Sequence, residues 1–203
     1  MLDLLRDGCG TESWVPAGEL GSLRFDRDEI MVAVERDDDE LARRRHHGLG
    51  ALPNRRALQV LLSMPTGVAV PVTFLRSVDL RLLLSLPTGV VDLDGTDVRV
   101  ALRPAVSLLS VGVVARTWKQ GLEGVSPFAS YCARYVVLDG GRDQQARGFC
   151  VAEARYFGVG LAVHRGGAVD WLVAPAKFQA TRFSPASWLM AERLTAKLWA
   201  SAG

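Results

Sequence analysis

Asp139 is the residue of this 203-residue sequence whose neighbours best fit chemistry on a small ligand. It follows a predicted strand, Tyr135 to Leu138, and precedes Gly140, Gly141 and a predicted helix from Arg142 to Phe157. Ligands of open α/β sheets gather at the carboxyl ends of strands, and paired glycines allow close approach to a helix N-terminus. The same residues also make a tight turn with Asp143 capping the helix. That simpler reading is preferred, because the sequence has no Gly-x-Gly-x-x-Gly spacing and no Walker-type lysine. Lys177 and Arg182 add cations near the start of the last predicted helix, a combination suited to phosphate, although a solvated loop explains them as well.

The other chemistry-bearing side chains point to no reaction. Glu153 is expected to pair with Arg155, Arg147 or solvent. His164 has no cysteine or carboxylate at ligand spacing, and His46-His47 lack an HExxH context. No serine lies in Gly-x-Ser-x-Gly. The expectation is a chain with no catalytic residues, no metal ligands and no cofactor.

Composition sets the frame for these residues. Hydrophobic residues make up 49% and charged residues 23%, so most of the chain is expected to fold. The formal charge of +2 excludes the broad electrostatic footprint of a histone-like protein, while leaving room for a small basic face. Cys9, Cys132 and Cys150 match neither a CxxC pair nor an even disulfide framework, and are read as reduced thiols. The opening MLDLLRDGCG is acidic and unlike a signal peptide, and no apolar run has the ~18 to 20 residues of a membrane helix. No membrane association and a cytoplasmic location are expected.

Residues 1–50 read as an accessory segment: a short opening helix, turns around Gly18 and Gly21, a strand over Glu29 to Glu35, and a helix running from the acidic Asp37 to Glu40 into the basic Arg43 to Arg45. An internal echo follows. Leu61-Leu62-Ser63-Met64-Pro65-Thr66-Gly67-Val68 returns as Leu83-Leu84-Ser85-Leu86-Pro87-Thr88-Gly89-Val90, which predicts two helices stopped alike by proline and glycine. Between them Val72 to Ser77 is expected to form a short helix begun by Pro71. Val90 to Val100 then brackets Asp94-Gly95, a hairpin signal. This order of helices and hairpin resembles a winged helix-turn-helix module over residues 54–103, within a segment bounded at 51–104.

That resemblance implies duplex DNA as the partner, with Arg55, Arg56, Arg76, Arg81, Arg99 and Arg103 as the contact residues. Its candidate recognition helix, Asp79 to Leu84, is apolar, and reading base edges calls for Arg, Asn, Gln or Lys on the outer face. The alternative is a small helical packing module.

From residue 105 to 203 the grammar is that of a mixed α/β domain, β-α-β-α-β-β-α. Its strands are Val106 to Ala115, Tyr135 to Leu138, Val159 to His164 and Val169 to Ala174. A helical stretch from Trp118 to Cys132, broken near Pro127, and a final helix capped by Ser184 complete it. Trp118-Lys119-Gln120-Gly121-Leu122 and Ala154-Arg155-Tyr156-Phe157-Gly158-Val159-Gly160-Leu161 carry a likeness to the restriction-endonuclease-like fold over residues 105–175. Some members of that superfamily place an acidic residue and a lysine on the strand before such a tryptophan-led helix. Here that strand reads Val111-Gly112-Val113-Val114-Ala115-Arg116, without the hard oxygen ligands that metal-dependent phosphodiester chemistry needs. The expectation is an α+β or α/β protein, non-enzymatic, that binds DNA through the first module and dimerises or meets a partner through the second. Two alternatives stand beside it: a protein-interaction subunit of a larger assembly, and an enzyme or ligand binder at the Asp139 strand end.

Overall fold

The computed structural model describes residues 18–25, 28–139, 146–180 and 182–200. The predicted opening helix, Gly140, Gly141 and Asp143 lie outside these residues. Among the described residues the chain is mixed α and β, with six α-helices, a six-stranded sheet and a three-stranded sheet. No described helix is long and apolar enough to cross a membrane.

Packing groups the chain into two units, Met1–Glu35 with Leu108–Thr181, and Arg36–Ser107 with Arg182–Gly203. The boundaries read from the sequence at residues 51 and 105 follow chain order, whereas both units are discontinuous. Each unit thus interrupts the chain of the other.

The first unit is built on the six-stranded sheet. Its strands are β1 (Glu19–Phe25), β2 (Asp28–Arg36), β6 (Val106–Ala115), β7 (Ala133–Asp139), β8 (Val159–Arg165) and β9 (Ala168–Val173), side by side in that order. Gly18 bends the chain at φ +90°, but the turn expected around Gly21 is in fact strand β1, because Glu19 to Phe25 find antiparallel partners in β2, with Leu20 opposite Ala33 and Leu23 opposite Ile30. β6, β7 and β8 run parallel, Val113 beside Val136 and Val136 beside Leu161, and β9 returns antiparallel to β8.

Helix α4 (Trp118–Val125) links β6 to β7, capped by Thr117, whose side chain accepts from the Gln120 amide. It ends in a 3-10 turn, Ser126–Phe128, where Pro127 lacks the amide to continue it. α5 (Ala146–Phe157) links β7 to β8. Gly121 lets α4 lie directly on β7, since a Cβ there would collide with Val136. A buried cluster packs Met31, Val137, Ala162 and Val169 around Tyr135, whose ring meets Trp171 edge-on at 5.6 Å.

The second unit holds α1 (Asp38–His46), α2 (Arg55–Leu62), β3 (Ala69–Pro71), α3 (Ser77–Leu84), β4 (Val91–Asp94), β5 (Asp97–Val100) and α6 (Pro185–Ala200). Asp37 caps α1 by accepting from the Glu40 amide, Asn54 caps α2 by accepting from Ala57, and Ser184 caps α6 by accepting from Ser187. The echo has a physical counterpart. Ser63 and Ser85 follow the last residues of α2 and α3, and each hydroxyl donates to the carbonyl three residues back at 2.7 Å, before Gly67 and Gly89 turn the chain at φ +73° and +88°. The helix expected over Val72 to Ser77 is only a 3-10 turn, Val72–Phe74. Ala69–Pro71 pair with Asp97–Arg99 instead, and that pairing holds the chain extended up to the turn.

The core of this unit is apolar, with Leu58, Leu61, Leu83, Val90, Val98, Val100 and Leu102 fully enclosed. Three charged side chains share that enclosure: Glu40, Arg44 and Glu192 are each 0% exposed. The guanidinium of Arg44 spans Glu40 and Glu192 and also donates to the Arg103 carbonyl. Burial raises the cost of each charge, and the mutual hydrogen bonds offset it.

Candidate functional site

The antiparallel sheet of the second unit runs β3-β5-β4, placing the last strand between the other two. Alternation along β5 sends Val98 and Val100 into the core and Arg99 outward, with Asp92 of β4 directly across from it. Gly95 closes the hairpin at φ +59°, as the Asp94-Gly95 pair leads one to expect. Asp92, Asp94 and Asp97 stand in this hairpin against one cation, Arg99.

The six arginines singled out by sequence occupy several separate segments. Arg55 and Arg56 are the exposed first residues of α2, and Arg99 lies exposed on β5. Arg76 pairs with Asp79 at 2.6 Å, and Arg81 returns its Nε to the Ser77 carbonyl at 3.3 Å. Arg103 is turned to the acids around the start of α1, 3.5 Å from Asp37 and 3.8 Å from Glu40.

The outward side of α3 carries Val78, Arg81 and Leu84, while Leu83 on its inner side is 0% exposed. Val78 is 45% exposed and Leu84 53%; Phe74 in the preceding 3-10 turn reaches 80%, and Leu93 in the hairpin 53%. Sequence reasoning missed these four. With leucines at positions 80, 82, 83 and 84, the helix has no polar face to reveal which leucine points out.

In the first unit, Asp139 ends β7 and is exposed, and its in-register neighbour on parallel β8 is His164. The Asp139 Oδ1 lies 3.4 Å from His164 Nδ1, so the histidine that is isolated in sequence has a carboxylate partner in space. His164 Nε2 is enclosed without a hydrogen-bond partner among the described residues. Gly140 and Gly141 are outside the described residues. Lys177 is exposed beyond β9, and Arg182 is exposed in the other unit. Glu153 accepts from the Trp118 indole Nε1 at 2.8 Å, a tie between α5 and α4.

The strand leading to Trp118 is β6, with Val111, Val113 and Ala115 buried and no carboxylate from Val111 to Arg116. Among the described residues no group of three or more His, Cys, Asp or Glu side chains converges to hold a metal ion. Burial pushes the buried Cys132 thiol up to about 12, outweighing the Arg134 charge and a backbone hydrogen bond from Val111. No protein-family profile, no curated protein and no solved structure matches the chain.

Proposed function

We propose that the unit formed by Arg36–Ser107 and Arg182–Gly203 is a winged-helix-like module that binds a protein partner through the outer side of α3 and the β4–β5 hairpin. The observation that carries this reading is the exposure of Val78 and Leu84 on α3, with Phe74 and Leu93 on the flanking turn and hairpin. Fully burying an apolar side chain of this size contributes about 1.5–3 kcal/mol, so a few such residues are a sufficient anchor for a protein interface. The winged-helix-like assignment is supported by the order of elements, helix, strand, 3-10 turn, helix and hairpin, and by the pairing of the first strand with the last.

The electrostatics favour protein over nucleic acid. Base readout needs several donors and acceptors on the outer helix face, and α3 presents Arg81 there. The hairpin's three aspartates against one arginine repel phosphates. The first unit is then a non-catalytic scaffold of restriction-endonuclease-like kind. In support of that reading are the tryptophan-led α4 between parallel strands β6 and β7 and the apolar residues where ligands for a cation would be required.

Affinity capture from the host with the parent chain and with Val78→Asp and Leu84→Asp variants tests the proposal. A stoichiometric protein retained by the parent and lost by both variants at unchanged melting temperature is the expected result. Equal retention by all three would remove the proposed surface.

A second reading, duplex DNA, is favoured by one observation: Arg55, Arg56 and Arg99 are exposed and enter none of the ion pairs found among the described residues. It requires retention on duplex DNA that weakens steeply with salt and drops when Arg55 and Arg56 become alanine.

A further inference from the structure

An unbroken line of charged groups crosses the second unit from α6 to the head of the hairpin. Glu192 on α6 accepts from Arg44 twice, Nη1 to Oε2 at 2.9 Å and Nη2 to Oε1 at 2.8 Å. It also accepts from the Leu52 amide at 2.7 Å and from the Trp188 indole at 3.1 Å. The third nitrogen of Arg44, Nε, donates to Glu40 Oε1 at 2.9 Å. Glu40 in turn holds the fork of Arg43, Nε to Oε2 and Nη2 to Oε1, both at 2.8 Å. The free arm of Arg43, Nη1, donates to the Gly89 carbonyl at 2.7 Å.

Gly89 is a tightly constrained place to attach such a line. Its φ of +88° belongs to glycine, and a Cβ there would meet the His47 ring at 2.9 Å. The next residue, Val90, is fully buried, and its carbonyl accepts from the amides of Ala101 and Leu102, which follow β5 at the same open end of the hairpin. β4 begins at Val91. A displacement of the Gly89 carbonyl therefore reaches both strands at the open end of the hairpin.

We propose that this line of ion pairs couples the seating of α6 to the position of the β4–β5 hairpin. The mechanism is competition for Glu40. Its Oε1 already serves Arg44 Nε, Arg43 Nη2 and, at 3.4 Å, the Arg103 amide. If Glu192 withdraws, the enclosed Arg44 loses its second carboxylate in a medium where an unpaired charge is costly, and it draws on Glu40. The hold of Glu40 on Arg43 slackens, and with it the anchor on Gly89. Thermodynamic linkage makes the coupling act equally in reverse: a ligand that moves the hairpin shifts α6. The inference is independent of whether that ligand is protein or nucleic acid.

Amide hydrogen exchange and indole NMR on the full chain provide the test, because spatial continuity alone does not establish coupling. Glu192→Gln is expected to speed exchange of the hairpin amides, Val91 to Val100, by about tenfold. Arg43→Gln, at a side chain 25% exposed, leaves the Arg44–Glu192 pair in place. It is expected to loosen the hairpin similarly and to shift the Trp188 Nε1–H resonance. In the double variant the hairpin should loosen no more than in Arg43→Gln alone. A hairpin unmoved by Glu192→Gln, strictly additive effects, or a Trp188 resonance unmoved by Arg43→Gln would each overturn the coupling. Should Glu192→Gln fail to fold, the Trp188 resonance in Arg43→Gln decides by itself.

Discussion

Arg44 and Glu192 stand 148 positions apart in the chain and meet through two hydrogen bonds of 2.9 and 2.8 Å, both side chains wholly enclosed. This pair binds the last helix to a module that begins at Arg36, although the strands and helices of the other unit intervene in sequence. A buried pair contributes little net stability over an apolar replacement, but breaking it from one side is costly.

Arg44→Met is accordingly expected to destabilise the protein by about 3–5 kcal/mol, since Glu192 is left buried without a countercharge, held only by the Leu52 amide and the Trp188 indole. Arg44→Met combined with Glu192→Met should recover most of that loss. Equilibrium urea denaturation of the three proteins checks both expectations, and equal stabilities of the single and double variants would contradict them.

Acid should loosen the same region. Burial pushes the Glu40 carboxyl up, but the hydrogen bonds from Arg43 and Arg44, the Arg43 charge and the Arg103 amide together outweigh it, holding the group below its ordinary value of 4.5. A carboxyl depressed by folding stabilises above its unfolded value, and the contribution is lost as pH falls through the folded one. Full stabilisation at neutral pH and a decline below pH 4.5 follow. Glu40→Gln should melt lower than the parent near neutrality and lose less between about pH 5 and about pH 3. Parallel pH profiles for the two proteins would count against this.

Glycine positions separate close packing from open space. At Gly112 a Cβ would fall within the Tyr135 ring, and Gly112→Ala is expected to cost about 1–3 kcal/mol or more. At Gly148, on α5, an added Cβ would meet nothing within 4 Å, and the backbone has no positive φ. Gly148→Ala should be neutral or stabilising by up to about 1 kcal/mol. Thermal melts of the two variants give the comparison.

Much of the architecture is legible from the sequence because its signals are local. The apolar run of β6, the Asp94-Gly95 hairpin, and the Ser184 cap ahead of Pro185 each encode an element within a few residues. β1 and β3 are not legible in that way. Leu20 and Leu23 sit among glycines that read as turns, and Ala69–Pro71 become a strand only because β5 lies alongside. The grouping of α6 with the inserted segment comes from contacts distant in sequence, Trp188 in the apolar core and Glu192 on Arg44, for which sequence offers no periodicity. At the sites, Asp139 is visible as a strand end, but His164 becomes its neighbour through the parallel register of β7 and β8. The outward leucine of α3 stays hidden because apolar residues crowd both sides of that helix.

A photo-activatable amino acid replacing Leu84, irradiated in the living host, tests the central claim most directly, because the outer side of α3 then reports what touches it. The account predicts a discrete covalent adduct that survives nuclease and is digested by protease. An adduct that nuclease removes, or the absence of any adduct from a protein that melts like the parent, would contradict it.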